Sequence, residues 1–155
     1  MEELITYRVD LLDAMESAVR EITTAIANLA AENLHYPVQA GSGTPHYIIF
    51  HLRELEKQVF RLQLPRFIAE ENLVLAVFDD QAWMREYYHA DEPASAILDE
   101  LAKLRHQELN WLRTLSPTQW SCTARHPWWG VHTVQWWAEL QLDITFQHLK
   151  KLVIS

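Results

Sequence analysis

Apolar residues recur at helical intervals along four stretches of the chain. Between about residues 3 and 33, Leu4, Leu11, Met15, Val19, Ile22, Ile26 and Leu29 are spaced by three, four or seven, which predicts one long amphipathic helix. Residues 37–43 end it. Thr44 then stands as an N-cap with Pro45 at the first helical position, where its missing N–H costs nothing. The second stripe follows as Ile48, Leu52, Leu55, Val59 and Leu62 and is interrupted at Pro65. A third helix runs from about Ala94 to Leu115, with Ile97, Leu101, Leu104, Leu112 and Leu115 inward. The last continues from a Thr133 cap to about Leu152, with Val134, Trp137, Leu140, Ile144 and Leu152 inward.

Strand signals are nearly absent, so the expected fold is all-α: a four-helix bundle occupying residues 1–155 as one domain. Residues 66–91 join the second and third long helices and carry a short helical piece near 80–88. A connection of that length is usually functional or structured. Asp79 reads as its N-cap and Asp80 as a solvated neighbour. Ser116-Pro117-Thr118-Gln119 has the pattern of a capping box, and His126-Pro127-Trp128-Trp129-Gly130 reads as an aromatic loop.

Composition narrows the function classes. A chain of 155 residues buries about 68–70% of its unfolded surface without needing disulfides. Cys122 is the single cysteine, which fits a reducing, cytoplasmic setting, and it has no basic neighbour in sequence to activate it. The first eight residues carry two acids and no basic region leading into an apolar core, unlike a signal peptide. No run reaches the roughly 18 apolar residues of a membrane span. A net charge of −8 argues against a nucleic-acid partner, because phosphate binding needs a basic stripe.

The helical wheel decides which polar groups reach the core. His148 lies between Ile144 and Leu152 and shares its stripe with Gln141 and, at the edge, Thr145. His51 sits at the border of the second stripe, and Glu54 one position further toward water. Arg105 and Glu108 both fall inward on the third helix and are expected to pair, since an unpaired buried charge is very costly.

Several segments together resemble the DinB-like (DinB/YfiT) superfamily: T-P-H-Y-I-I-F-H-L-R-E-L-E (44–56), F-D-D-Q-A-W (78–83), L-R-H-Q-E-L-N-W-L-R-T-L-S-P-T-Q-W (104–120), H-P-W-W-G (126–130) and T-V-Q-W-W-A-E-L-Q-L-D-I-T-F-Q-H-L (133–149). The resemblance implies an up-down-down-up bundle. It also implies a divalent metal, often zinc or nickel, held by one histidine of the second helix and an H-x-x-x-H pair on the last. His51 and His148 match the first and last of these ligands, while the middle one corresponds to Ile144 and the aspartate that often follows it to Thr145. A catalytic zinc site normally has three protein ligands and a water, so Gln141, Ile144 and Thr145 define the pocket on which the reading turns. Two classes stay open. One is a variant metal-dependent hydrolase or thiol S-transferase acting on a small molecule or thiol, with Glu54, Gln141, Thr145 or a residue of 78–91 completing the ligand set. The other is a non-catalytic relative that has lost the metal and binds a small molecule or pairs as a homodimer, its two histidines hydrogen-bonded in the core.

Overall fold

The computed structural model describes residues 2–154. Four long helical rods form: α1 (Glu2–Ala27), a second rod made of α2 (Pro45–Leu55), a π-helical stretch (Glu56–Arg61) and α3 (Leu62–Ala69), then α5 (Ala94–Arg113) and α7 (Val134–Lys150). Between them lie the short helices α4 (Asp80–Tyr87) and α6 (Pro117–Trp120) and a hairpin of β1 (Thr123–His126) and β2 (Gly130–Thr133).

The caps read from sequence form. The side chains of Thr44, Asp79 and Thr133 accept the N–H groups of Tyr47, Ala82 and Trp136, and Ser116 and Gln119 make a reciprocal capping box. Each satisfies orphan donors of a helix start, contributing about 1 kcal/mol.

Contacts along the rods fix their directions. Tyr7 and Arg8 reach Glu139 and Gln135, while Met15 lies level with Thr145 across Arg105, so α1 and α7 run parallel. Arg53 approaches Glu100 and Glu56 meets Arg105, so α2 and α5 also run parallel. Trp120, just after α5, stacks under Arg8 near the start of α1, which sets the two pairs antiparallel. The topology is therefore up-down-down-up.

Three elements depart from the sequence expectation. α1 ends at Ala27 rather than near 33, because Ala30 is extended and a 3-10 turn (Ala31–His35) carries His35 onto the ring of His46, 4.9 Å between centroids. The second rod passes through Pro65 instead of stopping there. In a regular helix the ring of Pro65 would strike the carbonyl of residue 61, and the π stretch ends at that residue, where a widened turn gives room. The same wide turn re-phases the apolar stripe. Leu62, expected inward, is 54% exposed, and Phe60, Leu64 and Phe67 take the core instead. Third, residues 123–133 form a hairpin rather than a loop, with Thr123 opposite Thr133 and His126 opposite Gly130. Gly130, at φ +82°, supplies the left-handed backbone that closes the turn.

The core has two apolar clusters. One gathers Met15, Phe60, Leu64, Leu109, Leu112 and Trp137; the other gathers Ile22, Ile49, Leu52, Ile97 and Leu101. Where they meet, Arg105, Glu56, Glu108, Gln141 and Thr145 are buried as a polar layer. Arg105 does not pair with Glu108 as expected. It forks onto Glu56 at 2.6 and 3.0 Å and donates to the Met15 carbonyl at 2.7 Å and to Thr145 Oγ1 at 2.9 Å. Glu108 instead accepts from Gln141 Nε2 at 3.1 Å.

Candidate functional site

A cavity of about 450 Å³ lies along the groove between the second rod and α7, within the usual size range of small-molecule sites. Its roof comes from two segments distant in sequence. Residues 73–75 bond to β1, Leu75 N–H to the Arg125 carbonyl at 2.8 Å and Arg125 N–H to the Leu73 carbonyl at 2.9 Å. This lays Leu75, Ala76, Val77 and Phe78 beside the hairpin turn that carries Trp128 and Trp129 over the groove. Phe60, Trp137, Leu140 and Ile144 form the floor.

The polar end holds the two histidines singled out by sequence. His148 Nε2 and His51 Nδ1 are 3.0 Å apart. The outer nitrogens are also occupied: His148 Nδ1 meets the Ile144 carbonyl at 2.8 Å, and His51 Nε2 meets Asp80 Oδ2 at 2.7 Å. Asp80, expected to be a solvated neighbour of a cap, is thus a member of the site. Its placement follows from how the 78–92 segment is clamped to α2. His46 bonds Tyr88 Oη and the Glu92 carbonyl, Arg53 forks onto Glu92, and Trp83 Nε1 donates to Glu54 Oε1 at 3.2 Å. Glu54, expected toward water, is buried by that contact. No local pattern announces these links, since they span about thirty to fifty residues.

Hydrogen-bond counting sets the protonation of the chain Asp80–His51–His148–Ile144. A carbonyl only accepts, so His148 Nδ1 carries hydrogen; an ionised carboxylate only accepts, so His51 Nε2 carries one too. The bond between the rings needs a third. Burial pushes the His148 imidazole down to about 4, opposed in part by its bond to the Ile144 carbonyl. His148 therefore stays neutral, with its hydrogen on Nδ1, and accepts at Nε2.

A metal does not fit this donor set. His148 Nε2 and His51 Nδ1 face each other with their outer nitrogens oriented, as supported ligands do, but the hydrogen between them would have to leave. Asp80 reaches only the far edge of His51, Ile144 offers no donor, and no group of three or more His, Cys, Asp or Glu is placed to hold a metal ion among the described residues. Gln141 and Thr145 cannot supply the missing ligand either. Both expected pocket positions are turned into the polar layer, Gln141 onto Glu108 and Thr145 onto Arg105, and only Ile144 of that trio lines the cavity.

Sequence reasoning missed one further buried polar residue of the cavity. His126, read as part of a loop, is buried, lines the wall, and accepts the backbone N–H groups of Trp128 and Trp129 on Nδ1 at 3.1 and 3.3 Å. A histidine directly before Pro-x-x-Gly, able to accept the turn's N–H groups, was the available signal.

Comparisons with known proteins agree with this architecture. A family model described as the DinB superfamily matches residues 1–151. A protein of Oceanobacillus iheyensis, provisionally named a metal-dependent hydrolase, is 28% identical over 116 residues; the match covers 75% of this chain and 66% of the relative, just under two thirds of its length. Among solved structures, YfiT from Bacillus subtilis, described as a probable metal-dependent hydrolase with an unusual four-helix bundle topology, superimposes with a TM-score of 0.82. It covers 92% of this chain and 82% of its own at 19% identity, a likeness of fold. No helix among the described residues is long and apolar enough to cross a membrane.

Proposed function

The chain belongs to the DinB superfamily, and from that premise we propose that it is a small-molecule-binding member in which the family's metal-site histidines serve as a hydrogen-bonded base for an apolar cavity. The observation that carries this reading is that all four ring nitrogens of His51 and His148 already have protein partners, with Ile144 packed where a further donor would stand. Satisfied imidazoles have little to gain from a metal with only two protein donors, because binding it would cost the hydrogen bond between them and still leave the metal short of the usual third protein ligand. The cavity itself is retained, and its walls are mostly aromatic and aliphatic.

A second reading, a variant metal-dependent hydrolase or thiol S-transferase, draws support from the names given to the relatives and from one feature of the site. The Nε2 and Nδ1 atoms that face each other at 3.0 Å have the separation of neighbouring ligands, and Asp80 and the Ile144 carbonyl hold the rings as outer partners would.

Metal titration separates the two. Wild-type protein purified without chelator is expected to carry no near-stoichiometric zinc or nickel by elemental analysis. Ile144→His, which adds the third donor one turn before His148, is expected to gain at least about tenfold in zinc affinity, or about 1.4 kcal/mol. Near-stoichiometric metal in the wild type that disappears in His51→Ala would overturn the binding-protein reading in favour of the enzyme.

A further inference from the structure

Two histidines line the cavity as buried side chains, His148 and His126. The nitrogens of His148 are spent. His126 is different: its Nδ1 accepts two backbone N–H groups, from Trp128 and Trp129. A ring nitrogen that accepts holds no hydrogen, so in the neutral ring the hydrogen must be on Nε2. The hairpin turn thereby sets the tautomer. Among the described residues nothing accepts from Nε2, although the residue is 6% exposed. That leaves one N–H of a cavity-lining side chain without a protein acceptor, and a bound acceptor would gain about one hydrogen bond, roughly 0.5–1.5 kcal/mol, over the apolar contact alone.

Its surroundings define what that acceptor belongs to. The imidazole stacks on Trp129 at 4.2 Å and 16° and lies 6.0 Å from Trp137, and Phe60, Phe78 and Trp128 complete an aromatic enclosure. Such walls suit a flat apolar body. Burial moves the His126 imidazole below its ordinary value, and the two N–H dipoles aimed at Nδ1 act in the same direction. The ring therefore remains a neutral donor through neutral pH. A cationic ligand group would meet the hydrogen of Nε2 rather than a lone pair; an oxygen acceptor is its complement.

We propose that His126 is the hydrogen-bond donor with which this cavity holds the carbonyl oxygen of a ligand with an aromatic body. The proposal rests on the small-molecule-binding reading above and adds the polar group that orients the ligand. Trp129 and Trp137 pack against the body while Nε2–H fixes the carbonyl.

Matched probes test it: acetophenone, with the carbonyl, and ethylbenzene, of nearly the same shape without one. Titrations followed by the indole N–H signals of the tryptophans in NMR spectra are expected to give a three- to tenfold preference for acetophenone in the wild type, the value of about one hydrogen bond. His126→Asn keeps an amide oxygen able to accept the Trp128 and Trp129 N–H groups but is too short to offer the donor. It should bind both probes alike, with ethylbenzene affinity within about twofold of wild type by the same reasoning. If the hairpin is disturbed by that change, nitrogen-15 spectra of the wild-type histidines decide independently. They should place the hydrogen of His126 on Nε2 and show that signal moving with acetophenone but not with ethylbenzene. Equal binding of the two probes, a preference that survives His126→Asn, or a hydrogen found on Nδ1 would overturn the donor role while leaving the apolar cavity in place. Binding of neither probe would remove both.

Discussion

Arg105→Met is expected to destabilise the protein by about 3–5 kcal/mol, the cost of leaving one partner of a buried ion pair uncompensated. Arg105 is 1% exposed and makes four hydrogen bonds, two of them to a Glu56 carboxylate that is equally buried. Without the guanidinium, Glu56 loses its one ion-pair partner among the described residues, and the Met15 carbonyl and Thr145 hydroxyl each lose a donor. Against a total stability of about 5–15 kcal/mol this is a large fraction. For a chain of this length it corresponds to a fall in Tm of about 6–20 °C. Chemical denaturation monitored by circular dichroism measures it directly. The double variant Arg105→Met, Glu56→Leu should recover most of the loss, since a buried pair replaced by apolar groups is often neutral. A single variant within about 1 kcal/mol of wild type would show that the layer is hydrated rather than dry, because only water could then replace the guanidinium.

Glu108→Gln is expected to act in the opposite direction, and increasingly so at alkaline pH. Glu108 is fully enclosed; burial and the nearby Glu56 raise its carboxyl to about 8, against a smaller pull from Arg105. One oxygen accepts from Gln141, while Oε2 and Gln141 Oε1 are buried without a partner. A carboxyl raised in the folded state keeps its proton while the unfolded chain gives it up. Folded protein then binds more protons than unfolded, and stability falls as pH rises from the ordinary carboxylate range to about 8. His148 works against this over part of that span. Depressed to about 4, it stays neutral where the unfolded chain protonates, so its contribution to stability is lost as pH falls from about 6.5 toward 4. The two slopes oppose each other below about 6.5; above it the His148 contribution is complete while that of Glu108 continues. Wild-type stability should therefore drop on the order of 2 kcal/mol between pH 6.5 and 8, at about 1.4 kcal/mol per unit. Glu108→Gln, which cannot ionise, should lose that drop and be the more stable protein at pH 8. Parallel urea titrations of the two proteins across pH 6 to 9 check this. Equal pH slopes would mean that Glu108 is already ionised.

What the sequence revealed divides by the range of the interactions involved. Helix starts were legible because a cap is decided within four residues, as at Thr44, Ser116 and Thr133. The facing of His51 and His148 was legible because each lies on or beside an apolar stripe and a bundle brings stripes together. Asp80 was not, since its role depends on the links that tie the 78–92 segment to α2, and the wheel of an eight-residue helix says little about what it docks on. Gln141 and Thr145 were correctly read as inward, but inward here means the polar layer rather than the cavity. Arg105 was paired with the wrong carboxylate because Glu56 enters the core only where the turn widens. The hairpin escaped because each of its strands has four residues, too few for alternation to stand out, and because part of its pairing is with a bridge at Val74.

The π-helical stretch has an implication for how this gene can change length. A π turn is an α turn with a residue to spare, and the flanking segments Pro45–Leu55 and Leu62–Ala69 remain ordinary α-helix. Loss of one codon at the exposed Lys57 would let the turn relax to α geometry while Phe60, Leu64 and Phe67 kept facing inward. The same loss within Ala94–Arg113, which has no such slack, would turn every later side chain of that helix by about 100°. Single-residue deletions should thus be survivable along one wall of the cavity and ruinous on the neighbouring rod.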